Sequence, residues 1–485
     1  MTIGIAFAIV LCTVVGSIVY GRRMQRARTV TEWAVGGRRF GTLIFWFLNA
    51  GEIYTTFAVL GISGFAWAYG APAYLAFTSV SLAATLGYLL IPRIWNAGRS
   101  GGHITQADFF AARYRAPWLG VLVGSAGIMA LVVYVQIQIT ALGLIVRMTF
   151  GAEISILQAA VIAAIVMLLF VYFAGLRSAA FAAGVKDVLM LVIVIALSVT
   201  VASEVGATSM LDVYRKAQEA YPGIGSFPGL QPDANLTTTW FVTSALNVAL
   251  GTWVFPHMFQ LCYAAADTTT IRRNTIFQPL YSLSYFFIIL LGLGALLAAT
   301  APPNGDINAV LLQFVSDRQP AWLVGVFAGT ACLLALVPGS ILLLTAGSIF
   351  SRNVIAPIWS GMGETSSLLV SRGSMIVFAA AAVWLTIGAS SSLVEIGLRA
   401  YAAIGMLAPG VYFAFLWPRA NAYGILAGIV AGYIVLLQSE VGAMFTALLP
   451  GFDKGLIAMA VNAIIAAVVV VLTTSRCRER KQLPA

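Results

Sequence analysis

Again and again the chain runs for about 20 residues with scarcely a charge, the length an α-helix needs to cross the hydrocarbon core of a bilayer. Thirteen such runs can be marked, near 2–20, 42–69, 73–92, 118–146, 154–174, 186–203, 239–262, 275–299, 322–349, 373–389, 393–417, 422–438 and 455–474. Only 9% of the 485 residues are charged, against about a quarter in soluble proteins. The expected fold class is therefore all-α, a polytopic membrane protein with 13 transmembrane helices embedded in the lipid bilayer. The second, fourth and ninth runs are overlong, which predicts tilt or a break in each.

The net charge of +10 could suggest nucleic acid, but the placement of the basic residues argues otherwise. With the N-terminus outside, 21 of the 27 lysines and arginines fall in inner segments, and the outer side receives only Arg147, Arg215, Lys216, Arg318 and Lys454. That split obeys the positive-inside rule and predicts a cell (inner) membrane protein with a cytoplasmic C-terminus. No nucleic-acid partner is expected, and the chain reads as a monomer. The first run lacks a positive leader, so a retained helix is expected rather than a cleaved signal peptide. The inner segment "ITQADFFAARY" reads as a short interfacial helix. The 11 residues beyond the last run leave no room for an output domain.

Chemistry-bearing motifs are sparse. Cys12, Cys262, Cys332 and Cys477 are scattered without metal or disulfide spacing. No Ser–His–Asp set and no nucleotide loop is visible, so neither an enzyme nor an ATP-driven pump is expected, and no cofactor.

Two stretches break the apolar pattern. "NAGEIYTTF" (49–57) carries Gly51, Glu52, Tyr54, Thr55 and Thr56 inside the second run. Small residues and threonines are ordinary helix-packing groups. Glu52 is not, because an intramembrane carboxylate is expensive and marks a functional site by default. "LGTWVFPHMFQ" (250–260) carries Trp253, Pro256, His257 and Gln260 inside the seventh run, and a proline there should kink or break the helix. A packed histidine beside an ordinary kink is the plainer reading. Interrupted helices at matching places in two halves, however, point to a transporter's central site. Runs two and seven lie five apart, so they run in opposite directions. The expected organisation is an extra N-terminal helix (2–20), a first repeat (42–203), an inverted second repeat (239–417) and two C-terminal helices (422–474). The substrate site expected between the breaks comprises Glu52, Thr55, Thr56, Trp253, His257 and Gln260. Pro338, Gly339 and Ser340 should interrupt the ninth run, and Glu395 with Arg399 reads as an i,i+4 ion pair.

"VTEWAVGGRRFGT" (30–42) and "GTWVFPHMFQLCYAAADTTTIRRN" (251–274) resemble segments of the sodium:solute symporter family, which includes permeases for proline, pantothenate and monocarboxylates. "AGEIYTT", "VFPH" and "LVPGSI" are most similar to its monocarboxylate-permease branch. The resemblance implies a five-plus-five inverted-repeat (LeuT-like) transporter with alternating access by a rocking bundle. It also implies a coupling-ion site built from the carbonyls of Gly51, Tyr54 and Leu334. The family's two hydroxyl ligands align with Val337 and Pro338, which have no side-chain oxygen. Glu52 stands one position from the family's acid, and Ser340 is a candidate replacement ligand. These departures favour protons over sodium as the coupling cation. The reading is a symporter for a small carboxylate-bearing solute, a monocarboxylate or an amino acid, with a proline-like sodium symporter or a transporter-like sensor as rivals.

Overall fold

Helix breaks organise the chain more than its loops do. The computed structural model describes residues 1–23, 29–150, 154–359, 361–388 and 392–480. Helix α1 (Thr2–Arg23) and the short α2 (Val30–Val35) precede α3 (Thr42–Asn49) and α4 (Ile62–Tyr69). Between α3 and α4 come a 3-10 turn at Gly51–Ile53, a non-helical Tyr54 (φ −91°, ψ 88°) and a π-helical turn at Phe57–Gly61. The two halves of this span are bent by 43°.

Helices α5 (Leu75–Gly101), α6 (Gln106–Arg113), α7 (Pro117–Phe150), α8 (Ile156–Glu204) and α9 (Met210–Ala220) follow. Gly175 (φ 61°, ψ 179°) divides α8 into two spans, a backbone open to glycine because it lacks a Cβ. The chain continues with α10 (Thr238–Thr252), α11 (Pro256–Ala264), α12 (Thr268–Ser282), α13 (Ser284–Leu297) and α14 (Val310–Arg318). It closes with α15 (Ala321–Ile349), α16 (Glu364–Ile387), α17 (Leu393–Gly405), α18 (Ala408–Leu416), α19 (Ala422–Leu437), α20 (Ser439–Leu448) and α21 (Lys454–Arg480). No strand occurs among the described residues, only one parallel bridge between Phe40 and Ala265.

Each of the thirteen expected spans coincides with helix. Among the described residues, eight helical segments are long and apolar enough to cross a membrane alone, and three bent pairs (α3–α4, α17–α18, α19–α20) bring the number to 11. The remaining two are the first half of α8 and the interrupted α10–α11 pair. The core lies around α15, a helix apolar on every side and therefore suited to burial. It is covered along most of its length by α1, α7, α8 and α16.

Three expectations need correction. α15 runs unbroken through Pro338, and Ser340 Oγ donates to the Leu336 carbonyl at 2.6 Å. The sixth span begins at Gly175 rather than 186, so Lys186 and Asp187 lie deep in a helix, each 0% exposed, instead of at an inner end. Glu52 thus shares the interior of the bundle with a second acid, Asp187, and 20 rather than 21 basic residues remain on the expected inner side. Glu395 and Arg399 are both exposed and form no ion pair; the Glu395 amide instead donates to Ser392 Oγ at 3.1 Å as a helix cap. The short helix expected in "ITQADFFAARY" is α6, capped by Thr105 and Asp108. Arg26, Arg28, Lys481 and the side chain of Cys477 lie outside the described residues.

Candidate functional site: a carbonyl cradle and a polar cluster

In the turn at Gly51–Ile53 the Gly51 carbonyl accepts from the Tyr54 amide at 2.9 Å, the Tyr54 carbonyl is left without a backbone donor, and α8 reaches both. Lys186 Nζ donates to the carbonyls of Gly51 and Tyr54, both at 2.8 Å. The same ammonium is ion-paired to Asp187 Oδ1 at 2.9 Å, and the two side chains are 1% and 0% exposed. Asp187 Oδ2 accepts from Tyr281 Oη at 3.0 Å. Tyr281's carbonyl in turn accepts from Tyr54 Oη, which also contacts Ser284 Oγ. The second-span break is therefore held by a lysine whose three N–H donors face three oxygens. A buried ammonium is tolerated only with such pairing.

On the other face of the break, Thr56 Oγ1 donates to Gln138 Oε1 on α7 at 3.0 Å. One helical turn before Gln138, Tyr134 packs its ring 5.8 Å from His257 and 5.3 Å from Phe255. Glu52, Gln138 and His257 are all at least nine-tenths buried, and each keeps a polar atom without a partner: Oε1, Nε2 and Nδ1. Buried polar atoms are nearly always satisfied, so unpartnered ones around two helix breaks mark a place for a polar ligand. Pro256 occupies the first position of α11, and no side chain caps that helix. The following amides lack intrahelical partners, a ready site for a carboxylate. Beside the cluster lies a cavity lined by Ile53, Phe57, Tyr134, Tyr285, Leu398 and Tyr401.

The sequence-derived site separates into two groups. Thr56 meets Gln138 and His257 packs on Tyr134 one turn away, while Glu52 lies buried in the 3-10 turn within electrostatic reach of Lys186 and Asp187. Thr55 is fully buried at the start of the π-helical turn, where its Oγ1 accepts from the Phe57 amide at 3.1 Å. Trp253 turns to α5 and donates from Nε1 to the Ala83 carbonyl at 2.6 Å. Gln260 turns to α2 and donates to the Ala34 carbonyl at 2.8 Å, leaving its Oε1 unpartnered. On α15, Pro338 has no N–H to offer the Leu334 carbonyl four residues earlier, so that oxygen lacks its usual helical donor. Sequence reasoning missed Tyr134, Gln138, Lys186, Asp187 and Tyr281. The Lys–Asp dipeptide stands at the edge of an apolar run, and only the break at Gly175 places it inside a span.

A second polar centre joins helix ends. Arg38, at φ 59° after α2, donates to the carbonyls of Gly98 at 2.9 Å and His103 at 2.7 Å. Asp108 accepts from Arg352 Nε and Asn353 Nδ2, both at 2.8 Å. Together they tie α2, α5, α6 and the end of α15.

Comparison with known proteins fits this arrangement. The family model "Sodium:solute symporter family" matches residues 33–432. The uncharacterized symporter YhjB of Bacillus subtilis (strain 168) is 32% identical over 479 residues, covering 96% of this chain and 97% of the relative. A monocarboxylate transport permease protein of Rhizobium johnstonii is 27% identical over 492 residues, covering 95% and 96%. Among solved structures, a Na+-coupled sialic acid symporter in a substrate-bound, outward-open state superposes with TM-score 0.79 at 14% identity, covering 96% of this chain and 97% of that one. That likeness is one of fold, the LeuT-like symporter fold. The chain is a multi-pass membrane transporter, not an enzyme, and it belongs to the sodium:solute symporter family.

Proposed function

We propose that this symporter imports a small carboxylate-bearing solute, a monocarboxylate or an amino acid, by alternating access, driven by a proton or sodium gradient. In this reading it works in the cell (inner) membrane with its N-terminus outside and its C-terminus in the cytoplasm. The observation that carries the reading is that Gln138, bonded to Thr56, and His257, packed on Tyr134 one turn away on α7, keep buried polar atoms without partners beside the uncapped start of α11. The free amides of α11 suit the solute's carboxylate, and the apolar, tyrosine-edged cavity suits a short hydrocarbon body. Glu52 then faces the coupling ion or a polar group of the solute rather than its carboxylate, since like charges repel. The Rhizobium johnstonii relative, named as a monocarboxylate permease, supports the same solute class.

The test is counterflow in proteoliposomes loaded with unlabelled lactate, pyruvate, propionate, alanine or proline. Exchange of labelled solute against one of these, abolished by His257→Ala with Gln138→Ala, is the expected result. Absence of exchange with every member of the panel would remove this solute class.

A further inference from the structure

The place that the family resemblance assigns to a coupling cation is filled here by the chain itself. We propose that the Lys186 ammonium is a built-in cation: it occupies the carbonyl cradle, so the native protein takes no metal cation there. Shortening Lys186 converts the same cradle into a binding site for a small monovalent cation. The proposal deepens the symporter reading and rests on it for its meaning in transport, but its binding test does not.

The geometry leaves the ammonium no competitor. Nζ lies 2.8 Å from both the Gly51 and Tyr54 carbonyl oxygens and 2.9 Å from Asp187 Oδ1. Hydrogen-bond donors and hard cations favour the same oxygens, so one set of ligands serves either. The cradle is also closed around the lysine. Gly51 packs so tightly on Asp187 that even a Cβ would meet its carboxylate, and the second carboxylate oxygen is engaged by Tyr281 Oη. A metal ion would need further oxygens, and beyond the Leu334 carbonyl α15 presents no free side-chain oxygen at 337, 338 or 340. Val337 presents hydrocarbon, Pro338 has no hydroxyl, and Ser340 Oγ is turned to the Leu336 carbonyl within its own helix.

Charge governs the cradle once the lysine is removed. The ionisable neighbours acting on the pair are Glu52 from the 3-10 turn, Tyr54 from the same break and Tyr281 from α12. Without Lys186, the Asp187 carboxyl, an unpartnered Tyr54 carbonyl and the Gly51 carbonyl, which keeps its bond from the Tyr54 amide, would face the space that four methylenes and an ammonium had filled, with the Glu52 carboxyl in electrostatic reach. Such a pocket attracts a small cation strongly, because burial weakens the competition from water. A tethered cation also means that the break between α3 and α4 is clamped to α8 by the chain, independent of the sodium concentration.

The probe is sodium chloride against choline chloride at equal ionic strength, read as thermal unfolding of purified full-length protein, with no solute present. Wild type should unfold at the same temperature in both salts. Lys186→Ala should unfold earlier in choline and recover by several degrees in sodium, saturably. Lys186→Ala with Asp187→Asn should lose that sodium response. A saturable, sodium-specific rise in wild type, or a folded Lys186→Ala indifferent to sodium, would overturn the proposal. Should Lys186→Ala give no folded protein in either salt, the wild-type comparison decides alone: indifference to sodium upholds the proposal and a sodium-specific rise defeats it. Failed counterflow would reject the solute class while leaving this result standing, and the two failures are therefore distinct.

Discussion

Gly51 has no room for a side chain. Its turn must come close enough to α8 for the carbonyl to reach Lys186 at 2.8 Å, and a Cβ there would land on the Asp187 carboxylate. Gly51→Ala should push the turn outward and lengthen both carbonyl contacts, at about 1–3 kcal/mol for overpacking a close site. A lowered unfolding temperature with loss of counterflow is expected; wild-type behaviour in both would show that the turn has slack. A second contrast separates packing from recognition. Trp253 is 0% exposed and wedged against α5, so Trp253→Ala should cost about 3–5 kcal/mol, as for a large core aromatic. His257→Ala should leave the unfolding temperature nearly unchanged and raise the half-saturating solute concentration. Loss of affinity without loss of stability in Trp253→Ala would put the indole back in the binding cavity. Residue types inside a span were legible here, since a carboxylate at mid-depth must have a reason. Directions were not. Which way the residues of a broken helix turn depends on neighbours such as Ala83 and Ala34, more than 150 positions away in the chain for both. The Lys186–Asp187 pair was hidden for a different cause: adjacent charges ahead of an apolar run look like a span's edge until a glycine break fixes where that helix starts.

Three prolines show why breaks are only half readable at the scale of elements. Pro256 falls at the first position of α11 after three residues that leave the helix, and the expected break is there. Pro92 and Pro338 sit inside α5 and α15, and both helices continue. A proline always removes one hydrogen bond, but packing decides whether the helix yields. Gly339 lies against Met167 and Gln138, so α8 and α7 pack on α15 at the point where its helix continues through Pro338. The helix-end centre yields a pH expectation. Burial lowers the His103 imidazole below its ordinary 6.5; Asp108 opposes the shift, and Arg352 and Arg38 add to it. The unfolded chain therefore binds a proton at a pH where the folded one does not, so stability rises with pH and is lost as pH falls below about 6.5. The unfolding temperature should drop between about pH 7.5 and 5.5, and His103→Asn should flatten that part of the profile. An unchanged slope in the variant would assign the proton uptake to another group.

Across the whole molecule, the breaks at 51–56 and 253–255 lie in oppositely directed spans five apart, and α7 contributes Tyr134 and Gln138 between them. A rocking movement that separates the two halves must either carry the Lys186 clamp with α3 and α4 or release it. Which side of the membrane each half opens to depends on the orientation of the chain, and the charge pattern fixes an expectation for that. With Lys186 set aside, twenty basic residues on one side make a cytoplasmic end of α21 the expected orientation. Cysteines give a direct reading, because Cys12, Cys262 and Cys332 all lie within helices expected to span the bilayer, and Cys262 is buried. Cys477 comes after the last apolar run and is the one thiol expected to meet an aqueous reagent at a span's end. A membrane-impermeant maleimide should label inside-out vesicles at Cys477, leave intact cells unlabelled, and lose its signal in Cys477→Ser. Labelling of intact cells at that residue would invert the chain. It would then exchange the aqueous faces reached by α3 and α4, so that the same rocking movement would open the polar cluster to the opposite side first.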